Sequence, residues 1–192
     1  ASYVPVGKDQ EQHLEMARTF ANRFNHRYGI VFPEPMAFNY SQELIKVPAL
    51  DGTGKMSKSE NQNATLYLAD DDETIRKKVM KAKTDAAPTE MNSAKPESVE
   101  NLFLLMKLVS SEDFIQEQEA AFNNCSIRYG DLKKQLAEDM VKFISPIREK
   151  ALGILNDEKY LEEVMQKGAA KAKRSAEKTM EIVRKSMGLN YF

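Results

Sequence analysis

The chain has 192 residues, 42% of them hydrophobic, with a formal net charge of −1, which is material for one moderate domain and part of a second. It holds no run of eighteen apolar residues, so no membrane-spanning helix is expected, and its single cysteine, Cys125, leaves neither an internal disulfide nor a CxxC zinc pair. The charge is uneven, because Lys167, Lys171, Lys173, Arg174, Lys178, Arg184 and Lys185 stand against only Glu177 and Glu181 between Val164 and Phe192, which makes that segment +5 and the remainder −6. A basic segment of this kind attracts a phosphate backbone, or forms a solvated helix face.

Tyr3 to Val6 read as a short apolar strand, followed by a turn at Gly7 and a helix from about Asp9 to Tyr28. Leu14, Ala17, Phe20, Ala21, Phe24 and Tyr28 recur at three- and four-residue spacing, and Gly29 ends the pattern. Nothing precedes the strand that could pair with it, so it is expected to lack its parallel partner. Phe32-Pro33-Glu34-Pro35 is an extended connection, since each proline disfavours helix in the residue before it. Leu44 to Val47 form a second strand that stops at Pro48, and Leu50-Asp51-Gly52-Thr53-Gly54 is turn chemistry leading into a mobile loop.

A composition break lies near Asn63 to Asp70, and beyond it nearly everything reads as helix. Asp71 or Asp72 caps a helix with Ile75, Val79 and Ala82 inward and Arg76, Lys77 and Lys78 outward. Pro96 opens the next, with Val99, Leu102, Phe103, Met106 and Val109 as its stripe, and Phe114 to Phe122 form a third. A fourth starts at Tyr129 or Gly130 and carries Leu132, Leu136, Met140, Phe143 and Ile144 until Pro146 kinks or breaks it. Tyr160 to Met187 form a last long helix with Gly168 as its weak point. The ten methionines read as core filling, and the Asp70–Glu73 run as capping, since adjacent carboxylates rarely point at one metal.

Two segments carry chemistry. In Gly54-Lys55-Met56-Ser57-Lys58-Ser59 the two ammonium groups, three residues apart, can converge on one polyanion while the hydroxyls donate to its oxygens. A solvated Lys/Ser-rich surface loop is the alternative on those grounds alone. At Gly7-Lys8-Asp9 the strand–turn–helix step offers free N–H groups and a positive helix end, where Asp9 can accept ribose hydroxyls. His13 lies one turn further on, as a capping or buried residue or, the alternative, a catalytic one; His26 is a surface residue and Cys125 a partly buried one.

The loop resembles, letter for letter, the KMSKS loop of class I aminoacyl-tRNA synthetases. VPVGxDQxxHxE, from Val4 to Glu15, and RFNxRYG, from Arg23 to Gly29, closely resemble bacterial tryptophanyl-tRNA synthetases. The related tyrosyl enzymes use a Gly-Ser-Asp-Gln turn that this chain lacks. The resemblance implies the second half of a Rossmann-like α/β nucleotide-binding domain over residues 1–64, then an all-α C-terminal anticodon-binding domain over 65–192, mostly α in total. It implies ATP-dependent activation of L-tryptophan and transfer to tRNA(Trp), in the cytoplasm, by a homodimer of the whole enzyme without a membrane partner. Lys55 and Lys58 would be catalytic. Gly7, Lys8, Asp9, Lys46, Val47, Lys55, Met56, Ser57, Lys58 and Ser59 would hold the nucleotide, with Mg²⁺ on its phosphates and no protein metal site. Gln10 would reach the tryptophan.

The family's His-Ile-Gly-His motif is missing, so the chain reads as a C-terminal portion, inactive alone. One departure is Asp51-Gly52-Thr53-Gly54 where relatives carry a Pro-Thr-Lys approach, and two glycines there are expected to loosen the loop. A tyrosyl enzyme, or a non-catalytic synthetase-like RNA-binding protein, are the competing readings.

Overall fold

A computed structural model describes residues 1–38, 46–57 and 61–189. Among them the order of elements is β1 (Tyr3–Pro5), α1 (Glu11–Tyr28), β2 (Met36–Phe38), α2 (Asp72–Met80), α3 (Glu97–Val109), α4 (Glu112–Asn123), α5 (Tyr129–Leu155) and α6 (Glu158–Ser186). Single 3₁₀ turns occupy Lys8–Gln10 and Gln62–Ala64. The fold is mostly helical with a two-stranded sheet. Packing divides the chain into two compact units, Ala1–Ile45 with Glu158–Phe192, and Lys46–Asp157. The compositional break near residue 64 therefore lies inside the second unit.

In the first unit β1 does have a parallel partner, contrary to the expectation of a lone strand. It pairs with β2 in the register Tyr3↔Met36, Val4↔Ala37, Pro5↔Phe38, and Met36 N donates to Ser2 O at 2.8 Å. Two side chains on α1 bring the connection back to make this pairing. Asn25 accepts from Val31 N and Phe32 N on Oδ1 and donates through Nδ2 to Phe32 O at 2.7 Å, while Arg18 donates to Pro35 O at 3.0 Å. Phe24 meets Phe32 edge-on at 5.0 Å between ring centroids. The α1 stripe is only partly covered, since Leu14 and Ala21 are buried but Phe20 is 61% exposed. Gly29, at φ +94°, ends α1 in a conformation that costs other residues strain. His13 is exposed and not the buried or capping residue expected, and His26 is exposed as expected. In α6, which runs unbroken through Gly168, Val183 is buried and the seven basic residues are exposed.

The second unit has a continuous core. Ile75 and Val79 on α2, Leu102 and Met106 on α3, Phe122 on α4 and Leu136 on α5 are all within 2% of full burial. Helix α2 lies along α5, and α3 packs on both α4 and α5. Capping follows the sequence: Asp71 Oδ1 accepts from Thr74 N at 2.6 Å, and Ser111 Oγ accepts from Phe114 N at 3.4 Å. Helix α5 continues through Pro146 to Leu155, so no break occurs there. Ile144 before the proline is buried, and Arg148 after it donates to Asp70 O at 2.6 Å, so tertiary bonds on both sides offset the missing N–H. Methionine as core filling holds for Met106 and Met140, whereas Met16, Met91 and Met165 are more than half exposed.

Candidate functional site

Residues Val47 to Met56 close a short antiparallel hairpin, bridged at Pro48 and Lys55. Met56 N donates to Val47 O at 2.8 Å and Ala49 N to Gly54 O at 3.1 Å. The turn needs positive φ at Gly52 (+76°) and Gly54 (+82°), so the two glycines are required by the conformation. The looseness expected of this approach is offset by Asp51. Its Oδ1 accepts from Thr53 N at 3.1 Å and Thr53 Oγ1 at 2.6 Å, and its Oδ2 from Asn61 Nδ2 at 3.0 Å. These bonds, those from Thr53 foremost, hold the Asp51 carboxyl below the usual carboxylate range.

The hairpin is rooted in the helical core. Ala49 and Leu50 are 4% exposed and belong to the same buried cluster as Ile75 and Leu102. Leu50 N donates to Ala64 O at 2.9 Å, and Leu50 O accepts from Lys83 N at 2.7 Å. The chain leaving the loop is held likewise: Thr65 Oγ1 lies 3.0 Å from Ser57 O and 3.2 Å from Asn61 O. Thr65 O accepts from Lys78 Nζ at 2.8 Å, and the same ammonium pairs with Asp70 Oδ2 at 2.7 Å. Lys78 thus points inward, with its side chain 13% exposed, where the amphipathic pattern of α2 placed it outside. Its partners explain the burial, since a charge leaves water only where a counter-ion and acceptors replace its hydration.

Asp70 also accepts from Tyr67 N at 3.0 Å, and Asp72 Oδ1 accepts from Arg148 Nη2 at 2.6 Å and Ser145 Oγ at 2.8 Å. Of the four carboxylates in the acidic run, Asp70, Asp71 and Asp72 therefore have three separate sets of partners, a capping and bracing arrangement. Below the hairpin an apolar cavity of about 570 Å³ is lined by Val47, Met56, Leu68, Leu105 and Phe143 among others. Its walls suit no phosphate, so the polar chemistry belongs to the hairpin above it.

Of the sequence-derived site residues, Lys46, Val47, Lys55, Met56 and Ser57 come together on this hairpin, and Lys58 and Ser59 lie outside the described residues. The Lys55 side chain is exposed, and no carboxylate among the described residues pairs with it. Gly7, Lys8, Asp9 and Gln10 form an exposed 3₁₀ turn in the other compact unit. Gln10 N donates to Gly7 O at 3.0 Å, and Gln10 Nε2 donates to Asp9 Oδ2 at 3.2 Å. A Cβ on residue 7 would stand 2.7 Å from Asp9 Oδ1, so glycine lets the carboxylate fold over the turn. Sequence reasoning missed Thr65, Lys78 and the Asp51–Asn61 bond. None of the three left a signal, since the Asx-turn wording Asp-Gly-Thr points only to the local bonds from Thr53 to Asp51.

The core-rooted hairpin with its exposed lysine and the separate strand–turn–helix step carry the two segments whose wording resembles class I aminoacyl-tRNA synthetases. The family described as "tRNA synthetases class I (W and Y)" matches residues 1–145, and the chain belongs to it. The tryptophan–tRNA ligase of Porphyromonas gingivalis is 55% identical over 186 residues, covering 96% of this chain and 56% of that protein. That of Chlamydia caviae is 37% identical and covers 99% of this chain and 54% of its own length. The crystal structure of tryptophanyl-tRNA synthetase from Campylobacter jejuni, complexed with ADP and tryptophan, superposes with a TM-score of 0.79 at 31% identity, over 98% of this chain and 57% of that one. The chain thus spans a little over half the length of the relatives it matches.

Proposed function

We propose that the chain is the C-terminal portion of a tryptophan–tRNA ligase, which activates L-tryptophan with ATP and transfers it to tRNA(Trp). The observation that carries this reading is the 55% identity to a tryptophan–tRNA ligase along 96% of the chain. In the reaction a tryptophan carboxylate oxygen bonds to the α-phosphorus of ATP, and the bond from that phosphorus to the bridging oxygen breaks, releasing pyrophosphate. No protein nucleophile takes part.

Catalysis is then positioning together with stabilisation of charge on the departing pyrophosphate. Lys55 and Lys58 supply that charge, and Met56, Ser57 and Ser59 hold phosphate oxygens through N–H and hydroxyl groups. Gly7, Lys8 and Asp9 bind the ribose, Lys46 and Val47 lie along the adenine, and Gln10 reaches the amino acid. Mg²⁺ accompanies the nucleotide, held by its phosphates; the carboxylates near the hairpin, Asp51 and Asp70, are committed to Thr53, Asn61 and Lys78. Residues 1–64 belong to the catalytic domain and 65–192 to the helical anticodon-binding domain, with the exposed basic residues of α6 aiding tRNA docking by charge. The whole enzyme works as a cytoplasmic homodimer.

ATP–pyrophosphate exchange by the complete enzyme tests the assignment. Tryptophan should support exchange and tyrosine should not, because an indole pocket leaves tyrosine's hydroxyl without an assured partner. Equal turnover with tyrosine would transfer the chain to the sister specificity.

A further inference from the structure

We infer that Asn22, Arg23, His26 and Arg27, on the outer face of α1, form a contact for the phosphate backbone of tRNA. The inference rests on the tRNA-ligase reading given above and adds a surface to it. The segment RFNxRYG divides by what the fold does with each side chain. Phe24 packs on Phe32, and Asn25 accepts from Val31 N and Phe32 N. Among the described residues no hydrogen bond or ion pair engages Arg23 or His26, and Arg27 has only its cation–π contact with the Tyr28 ring, 5.6 Å from the centroid. Arg18 on the same helix gives the contrast, since it is committed to Glu15 at 2.8 Å and to Pro35 O at 3.0 Å.

The arrangement fits a polyanion. Between Glu15 and Glu34 the chain carries three arginines and a histidine and no carboxylate. Asn22, Arg23, His26 and Arg27 are exposed and line one open cleft of about 740 Å³. At helical period they lie opposite the buried Leu14 and Ala21. Arg23 and Arg27 stand one turn apart, a placement in which like charges weaken a helix. The helix dipole accounts for His26 and Arg27 in the last turn, but its effect does not reach back to Arg23. Each guanidinium can hold a phosphate through two parallel N–H bonds, and two of them one turn apart can engage neighbouring phosphates of a strand. Asn22 adds an amide for ribose or phosphate oxygens. A small anion on so exposed a face would keep its water, whereas a nucleic acid gains by releasing counterions at every contact.

The test uses the complete enzyme and a tRNA(Trp) transcript. Arg23→Gln combined with Arg27→Gln should raise the Kd for tRNA roughly 10-fold, and should make the slope of log Kd against log salt shallower by about two, one for each lost contact. KM for tRNA in aminoacylation should rise likewise. Pyrophosphate exchange, which uses no tRNA, should keep its kcat and its KM for ATP. Arg23→Lys with Arg27→Lys should retain the salt slope, because lysine keeps the charge without the planar fork. Asn22→Asp leaves both arginines in place and sets a carboxylate beside Arg23, so it should weaken tRNA binding several-fold with exchange intact. That variant decides the matter if circular dichroism shows that the double glutamine variant has lost helix. Unchanged tRNA affinity and salt slope in the folded glutamine variant overturns the contact, and so does a loss shared equally by pyrophosphate exchange. Failure of the wild-type enzyme to charge tRNA(Trp) with tryptophan would instead overturn the ligase reading.

Discussion

At the scale of single residues the proposed chemistry falls on side chains that a motif names, and the bonds that brace the hairpin come from side chains that no motif names. Lys58→Ala in the complete enzyme should slow adenylate formation by about 3 kcal/mol, or roughly two orders of magnitude, because the ammonium meets charge that exists only in the transition state. Tryptophan affinity should hold, and unaltered exchange kinetics would remove Lys58 from the mechanism. Gly7→Ala acts on the other segment. A Cβ at 2.7 Å from Asp9 Oδ1 must displace that carboxylate, so the KM for ATP should rise while the KM for tryptophan changes less. Wild-type nucleotide kinetics in that variant would show that the Asp9 placement is irrelevant. KMSKS and VPVGxDQ were legible because they are contiguous wording. Thr65 and Lys78 were not, since a threonine thirteen positions before a lysine has no periodicity, and the pattern of α2 sorts every charge outward. Only the tertiary placement of Asp70 and the Thr65 carbonyl turns Lys78 inward.

At the scale of elements, period and capping made the helices of the second unit readable, and their ends moved by only a few residues except in α5, which runs on past Pro146 to Leu155. Strand β2 was not readable: it has three residues, follows Pro35 directly, and owes its place to Asn25 and Arg18 reaching across from α1. The joint between α2 and α5 has a stated pH dependence. Asp72 lies below the usual carboxylate range, chiefly through the hydrogen bond from Arg148 and then that from Ser145, and Glu138 does so through Arg76. A carboxyl depressed in the folded state stabilises fully above its unfolded value near 4 and loses that contribution as pH falls through the depressed value. Chemical denaturation at a series of pH values should therefore show stability declining below about pH 4, less steeply for Asp72→Asn. An identical slope in that variant would exclude the Arg148 pair as a source. In the core, Phe122 is 1% exposed, and Phe122→Ala should cost about 3–5 kcal/mol by denaturant titration. A loss under about 1 kcal/mol would mean that the site collapses around the void.

At the scale of the molecule, the hairpin that carries Lys55, proposed here as catalytic, folds with the helices and not with the strand–turn–helix step that precedes it in sequence. Composition placed a boundary near residue 64 because the helical run starts there, but Ala49, Leu50 and Ala64 bury themselves in the helical core. Composition cannot report which core a short apolar segment enters. Such rooting places Lys55 with the helical unit, and the chain spans only 56% of the length of its Porphyromonas gingivalis relative. The chain Ala1–Phe192 alone should therefore make no adenylate, because activation needs both sides of the phosphate chain held in register. The sequence contains no tryptophan, so added tryptophan is the only indole fluorophore in a mixture of chain, ATP and amino acid. Its emission should stay close to that of the free amino acid, and pyrophosphate exchange should remain at background in preparations cleared of host synthetase. Exchange above that background would mean that 192 residues already hold a complete active site.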